Sequence, residues 1–137
     1  MQTELAEKIV ASWLEDLSAV LEVSLVLNKE GLCTFQVGEN IIAIEVASTP
    51  AQVYIYSTLC TLPDDPESKT LLLIKALEQN AFQMRTRGGT IAIVPGGQLL
   101  IYCCSLLIEG MDSEKFSSIL GNFFDILPEL RADLLVP

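Results

Sequence analysis

The second half of the chain, residues 69–136, changes its hydrophobic spacing twice, and this constrains the fold more than any other feature. Apolar residues first recur at helical spacing. Two shorter apolar runs, residues 91–94 and 98–108, then flank a Pro-Gly-Gly turn at residues 95–97. From residue 113 onward the helical spacing returns. The pattern predicts a helix, a β-hairpin and a second, acidic amphipathic helix, in that order.

The longer strand of this hairpin is apolar on both of its faces. A strand with one face in water would alternate apolar and polar residues, so this strand is expected at the centre of a sheet or under cover on both sides. Its two faces are Leu99, Ile101, Cys103 and Leu107 on one side, and Leu100, Tyr102, Cys104 and Leu106 on the other.

The first half of the chain predicts one helix followed by strands. Residues 3–22 form the clearest helix, because their apolar side chains fill about half of its circumference. Short alternating runs with turn residues between them then indicate an antiparallel meander. The predicted strands are residues 23–27, 32–37, 41–47 and 53–60. The fold class is therefore α+β, an α/β sandwich with the order helix, antiparallel strands, helix, β-hairpin, helix, in a single domain over residues 1–137.

The helix predicted over residues 68–85 is apolar on more than one side. One stripe contains Leu73, Ile74, Leu77, Ala81 and Met84, whereas Leu71, Leu72, Ala76 and Phe82 lie off it. A helix of this kind needs more than one apolar neighbour. The second neighbour is either the same helix of another copy or a covering loop. On the first alternative the chain is a homodimer, and Leu72 and Ala76 are its interface candidates.

Charge excludes several classes of partner. The net charge is -10 and the isoelectric point is about 4.2. Nucleic acid and anionic membranes both require clustered Lys and Arg, which this chain lacks. The N-terminal residues do not resemble a signal peptide, and no apolar run is long enough to insert into a membrane. Cytoplasmic action is the resulting expectation.

Residues typical of catalysis are also missing. The chain has no histidine, no phosphate-binding glycine loop and no CxxC spacing among its four cysteines. Histidine is the usual acid or base at neutral pH, and structural zinc sites need clustered thiolates or imidazoles. We therefore expect no enzyme activity and predict no catalytic, cofactor-binding or metal-binding residues.

Three features in this order resemble a known family. They are the run Leu-Leu-Leu-Ile-Lys-Ala-Leu-Glu-Gln-Asn-Ala-Phe at residues 71–82, the Gly-Gly-Thr segment at residues 88–90, and the acidic amphipathic helix after the long strand. The chain thereby resembles the class I chaperones of type III secretion, the Tir-chaperone (CesT-like) family, over nearly its whole length. Pro128 departs from the pattern and predicts a kink or a fresh start in the last helix.

The resemblance implies a bacterial, virulence-associated homodimer that binds one secreted effector protein. The effector's segment near its N-terminus is expected to lie extended on the chaperone, which keeps it soluble and competent for the secretion ATPase. No cofactor is implied. Two alternatives stay open: a regulatory or scaffold protein of the secretion system that binds a folded partner, and a module that binds an apolar small ligand.

The surplus of apolar residues in the first helix and first strands predicts where an effector binds. The helix carries a wider apolar arc than one contact with a sheet requires, so Trp13 or a neighbour is expected either to stay exposed or to face a partner. Alternation places Val23, Leu25 and Leu27 on one strand face, all buried or all available. The cargo-binding candidates are Ile9, Trp13, Val23, Leu25, Leu27, Phe35, Val37 and Ile44.

Overall fold

The computed structural model describes residues 3–47 and 51–135 and has the predicted α+β class. Five strands form one antiparallel sheet in the order β1-β2-β3-β5-β4. Helix α1 precedes the strands, α2 and a short 3₁₀ turn separate β3 from β4, and α3 ends the described chain. The bounds are α1 (Thr3–Leu21), β1 (Leu32–Val37), β2 (Asn40–Ala47), β3 (Gln52–Thr61), α2 (Pro66–Gln79), the 3₁₀ turn (Ala81–Gln83), β4 (Thr90–Ile93), β5 (Leu99–Leu107) and α3 (Ser113–Leu135).

The chain divides into two compact units. Unit 1 comprises Met1–Ile55 and Ser105–Asn122, and unit 2 comprises Tyr56–Cys104 and Phe123–Pro137. Both units draw on β3, β5 and α3. That the chain is one domain stays a prediction. No helix in the described ranges is both long and apolar enough to cross a membrane.

The core of unit 1 includes α1, which packs against β2, and the start of α3, which contacts α1. Trp13 stacks on Phe116 with ring centroids 5.2 Å apart and is buried, so of the two expected cases it is a neighbour of Trp13 that stays exposed. Leu5 and Val20 remain exposed, which accounts for the surplus width of the apolar arc. The β1–β2 hairpin turns through two residues, with a positive φ at Gly38 as in a type II′ turn.

Residues 23–27 do not form the predicted first strand. Helix α1 stops at Leu21, and the next residue, Glu22, has a left-handed φ of 57°. The N–H of Leu25 then donates to Ser18 Oγ on the last turn of α1, at 2.9 Å. This bond holds the segment against the helix end, so its backbone does not enter the sheet. Three strands therefore precede α2 instead of four.

Helix α2 of unit 2 ends six residues before the predicted end at residue 85. It begins at Pro66, capped by the Asp65 carboxylate, which accepts the Ser68 N–H at 2.9 Å. It ends at Gln79, because the next side chain, Asn80, bonds to β4. Asn80 Nδ2 donates to the Ile91 carbonyl at 2.9 Å, and the Ile91 N–H donates to Asn80 Oδ1 at 2.8 Å. The following residues leave the α-helix for the 3₁₀ turn.

The second half of α3 completes the core of unit 2, as its stripe predicted. Leu127 and Leu130 are buried, and Phe123 packs on Tyr102 with ring centroids 4.9 Å apart. The helix continues through Pro128 without a fresh start, since the apolar stripe on both sides of the proline stays packed. Arg131 donates to the carbonyls of Thr58 and Leu59, which ties the end of α3 to β3.

The Tyr102 hydroxyl fixes the loop before β4. It donates to the Thr86 carbonyl at 2.6 Å, and burial, the main cause, raises the pKa of Tyr102 to about 12. The hydroxyl therefore keeps its proton and its role as donor. Gly89 lies directly against this ring, and a Cβ at that position would overlap it. The glycine is required for close approach.

Replacing Gly89 with alanine should therefore destabilise the protein by about 1–3 kcal/mol, the usual effect of overpacking. Gly121→Ala is the matched control, because nothing lies within 4 Å of the added methyl group and alanine favours a helix. Urea unfolding followed by circular dichroism measures both changes. Equal midpoints for Gly89→Ala and the unchanged protein would show that Tyr102 can move aside.

Candidate interaction surfaces

The predicted cargo-binding residues divide by burial, and their binding role stays a prediction. Trp13, Leu25, Phe35 and Ile44 are buried in unit 1. Val23 is exposed, and Ile9, Leu27 and Val37 are half-buried. The expectation that Val23, Leu25 and Leu27 share one environment is wrong, because this segment is not a strand. The four buried side chains offer no surface to a partner in this structure.

The two dimer-interface candidates, Leu72 and Ala76, are buried within unit 2. The buried and exposed sides of α2 are thus the reverse of those assigned from its main stripe. Leu71, Ile74 and Leu77 are exposed instead, and their three-residue spacing places them on one face of α2. A contact between copies made by Leu72 and Ala76 stays a prediction, but the exposed face is the better placed for it.

Two more apolar side chains project beyond the end of α2. Phe82 is 92% exposed, and Met84 is also exposed. Phe82 and Gln83 both have positive φ values, of 60° and 54°, which are costly for residues with a side chain. We name the set Leu71, Ile74, Leu77, Phe82 and Met84 the apolar α2 surface. Exposed apolar side chains at this density are typical of interaction sites.

The outer side of β1 presents unpaired backbone groups, because β1 is the first strand of the sheet. The Val46 N–H donates to the Gly31 carbonyl at 2.9 Å, so Gly31 and Val46 are hydrogen-bonded to each other at the start of the β1–β2 ladder. Alternate residues therefore pair with β2, while Leu32, Thr34 and Gln36 direct their N–H and C=O groups outward. We name the outward groups of Thr34 and Gln36 the β1 edge.

Asn28 closes one end of this edge. Its Oδ1 accepts the Leu32 N–H at 3.1 Å, and its own N–H donates to the Leu32 carbonyl at 2.8 Å. Both outward groups of Leu32 are thereby satisfied. The alternation of Thr34 and Gln36 with apolar residues in the sequence indicates a strand with one exposed face. It does not indicate an edge strand, because the position of β1 in the sheet depends on the other strands.

Exposed apolar side chains lie near the β1 edge. Val23 and Val26 are exposed in the segment that leads to β1, and Val26 is 71% exposed. Burial raises the pKa of the Cys33 thiol, and the backbone of Val26 lies close enough to lower it slightly against that effect, which places Val26 beside the start of β1. Ile41, opposite Gln36 in the register, is also exposed. An extended peptide at this edge would have apolar neighbours as well as hydrogen-bonding groups.

The cysteines are suited to packing rather than to chemistry. Burial is the main cause that raises the pKa of each of the four thiols, for Cys104 to about 11. A thiol that keeps its proton is a poor nucleophile and a poor metal ligand. Within residues 3–47 and 51–135, no three acidic or thiol side chains converge as a metal site would require.

Several solved structures share the fold of this chain. A chain of the ExsC–ExsE complex matches with a TM-score of 0.77, 14% identity, and coverage of 100% of this chain and 98% of its own. A chain of the HopA1–SchA chaperone–effector complex matches with a TM-score of 0.71, 16% identity, and coverage of 93% and 97%. The ExoU–SpcU complex of the Pseudomonas aeruginosa type III secretion system gives a TM-score of 0.63, 17% identity, and coverage of 92% and 94%. At these identities the likeness shows the fold alone.

Sequence comparison assigns the family. No curated protein sequence is similar enough to this chain to count as a relative. A family model, in contrast, matches residues 12–131, which include every strand and most of the three helices. The match confirms the resemblance inferred from residues 71–90. The chain belongs to the Tir chaperone protein (CesT) family.

Proposed function

We propose that this chain is a type III secretion chaperone that holds a segment of a secreted effector protein in an extended state at the β1 edge. Membership of a chaperone family supports the general role, and complexes of chaperones with effectors share the fold. The observation that carries the proposal is the pair of unpaired outward positions on β1, next to exposed apolar side chains. An extended segment that adds a strand there needs no folded partner and no catalysis.

The size of the edge limits how much the backbone contributes. Thr34 and Gln36 offer one donor and one acceptor each, so an added strand makes four main-chain hydrogen bonds. At about 1 kcal/mol net per bond, these give about 4 kcal/mol, which corresponds to a dissociation constant near 1 mM. Burial of exposed side chains such as Val23 and Val26, at about 1.5–3 kcal/mol each, is needed to reach micromolar binding.

The same proposal includes a homodimer formed through the apolar α2 surface. Its five side chains are exposed in the single chain, and unit 2 carries little net charge to oppose self-association. The proposed place of action is the bacterial cytoplasm, where the chaperone keeps the effector unfolded until the secretion ATPase receives it.

Thr34→Pro tests the edge, because proline removes the outward N–H of Thr34 and is tolerated on an edge strand. Affinity for the effector should fall by at least about tenfold. Thr34→Ala keeps the N–H and is the matched control, with a change of no more than about twofold. The effector is first identified by mass spectrometry after purification of the tagged chain from its own bacterium. Calorimetry with the purified effector segment then measures the affinity of each variant.

Equal affinity of the two Thr34 variants, with unchanged melting temperatures, would place the effector elsewhere. Hydrogen exchange provides an independent reading: the Thr34 and Gln36 amides should become protected when the effector segment binds. A retained partner that resists limited proteolysis along its whole length would favour the alternative of a folded partner.

Leu77→Asp tests the dimer, because this side chain is 70% exposed and its replacement leaves the core of unit 2 intact. Sedimentation should show a dimer for the unchanged chain and a monomer for the variant, since a buried charge at an interface strongly opposes association. Val20→Asp, at a 77% exposed position in unit 1, is the control and should stay dimeric. A dimeric Leu77→Asp variant would exclude this surface as the contact.

A further inference from the structure

The two units differ sharply in charge. Unit 1 contains eleven acidic and three basic side chains, a net charge of -8, whereas unit 2 contains seven and five, a net charge of -2. Most of the acidity of the chain therefore belongs to the unit that contains β1. Solubility alone would not require the charge to be concentrated in one unit.

The two units also differ in the ion pairs that their described residues form. In unit 2, Arg87 meets Glu129 at 2.9 Å and Arg85 meets Asp133 at 3.8 Å. In the described part of unit 1, no lysine forms an ion pair with a carboxylate. The negative charge of unit 1 is thus available to an external group.

Three of these carboxylates surround the β1 edge. Glu30 precedes β1, Glu39 follows it in the hairpin turn, and Glu45 lies opposite Leu32 on the neighbouring strand. Leu32, Thr34 and Gln36 alternate along β1 and so lie on one face of the sheet. Glu45 is the register partner of Leu32 and therefore lies on the same face. Lys29 is the only basic residue between positions 9 and 55.

We propose that the segment bound at the β1 edge is cationic, with lysine or arginine at alternate positions between apolar residues. This inference rests on the proposed function and adds the chemistry of the cargo to it. An added strand places every second side chain on the face of Thr34, where a long basic side chain reaches Glu45, and its ends meet Glu30 and Glu39. An acidic segment at the same place would meet like charge on every side, which opposes binding.

A pair of synthetic peptides tests the charge of the ligand. Both are about ten residues long, enough to span β1, with valine or isoleucine at alternate positions. One peptide has lysine and threonine in between, and the other has glutamate and threonine. Fluorescence anisotropy should detect binding of the lysine peptide at least about tenfold tighter than the glutamate peptide, and the difference should shrink between about 50 mM and about 500 mM salt.

Matched variants then locate the charge that matters. The triple variant Glu30→Gln, Glu39→Gln, Glu45→Gln should weaken binding of the lysine peptide by about tenfold, the combined effect of three exposed ion pairs. The control variant Asp64→Asn, Glu67→Gln, Glu78→Gln removes the same charge from exposed positions of unit 2 and should change binding by no more than about twofold.

The possible results separate this inference from the proposed function. Equal binding of the lysine and glutamate peptides, or equal effects of the two triple variants, would overturn the cationic cargo while leaving the β1 edge in place. If neither peptide binds, or if Thr34→Pro leaves lysine-peptide binding unchanged, the β1 edge itself is not the site, and both proposals fail.

Discussion

Asn80 makes the contact on which most of unit 2 depends. Its side-chain amide hydrogen-bonds to both the N–H and the C=O of Ile91, as a neighbouring strand would, and so joins the end of α2 to β4. Because these backbone groups are partly buried, leaving them unpaired would cost about 1–3 kcal/mol each. The contact stops α2 at Gln79 and forces the chain into the strained turn that exposes Phe82. The part of the proposed dimer surface beyond the end of α2, Phe82 and Met84, thus follows from a partly buried polar contact.

How much of this was predictable depends on the range of the interaction involved. The β1–β2 hairpin, the hairpin around residues 95–97 and the buried stripe of α3 follow from local spacing, and each is confirmed. Helix α2 was misread because leucine or isoleucine occupies so many of its positions that several stripes fit equally well. Its true end depends on Ile91, which lies eleven residues further along the chain. Residues 23–27 alternate like a strand, but the Leu25 N–H donates to Ser18 Oγ at the end of α1 and not to a neighbouring strand.

The candidate site was harder to predict than the fold for a related reason. Apolar side chains in the core and at a binding surface have the same composition and spacing, so Phe35 and Val26 cannot be told apart from the sequence. The fold decides between them, since Phe35 lies on the buried face of β1, whereas Val26 lies in the exposed segment that precedes this strand. The structure also gives the two surfaces different electrostatics. The nearly neutral unit 2 is the side proposed to contact another copy, whereas the strongly negative unit 1 is the side proposed to bind a partner of opposite charge.

The Asn28 turn has a consequence for the free protein as well as for binding. Long unprotected strand edges invite pairing between identical chains and, from there, fibrils. By occupying Leu32, Asn28 leaves only Thr34 and Gln36 open, too short a template to hold a second copy by backbone bonds alone. Glu30 and Glu39, at the two ends of β1, also oppose pairing between copies, because their negative charges repel the same residues of another chain. A chaperone without cargo needs this protection, because the strand edge proposed to bind a client is also the feature that would otherwise make the chain aggregate.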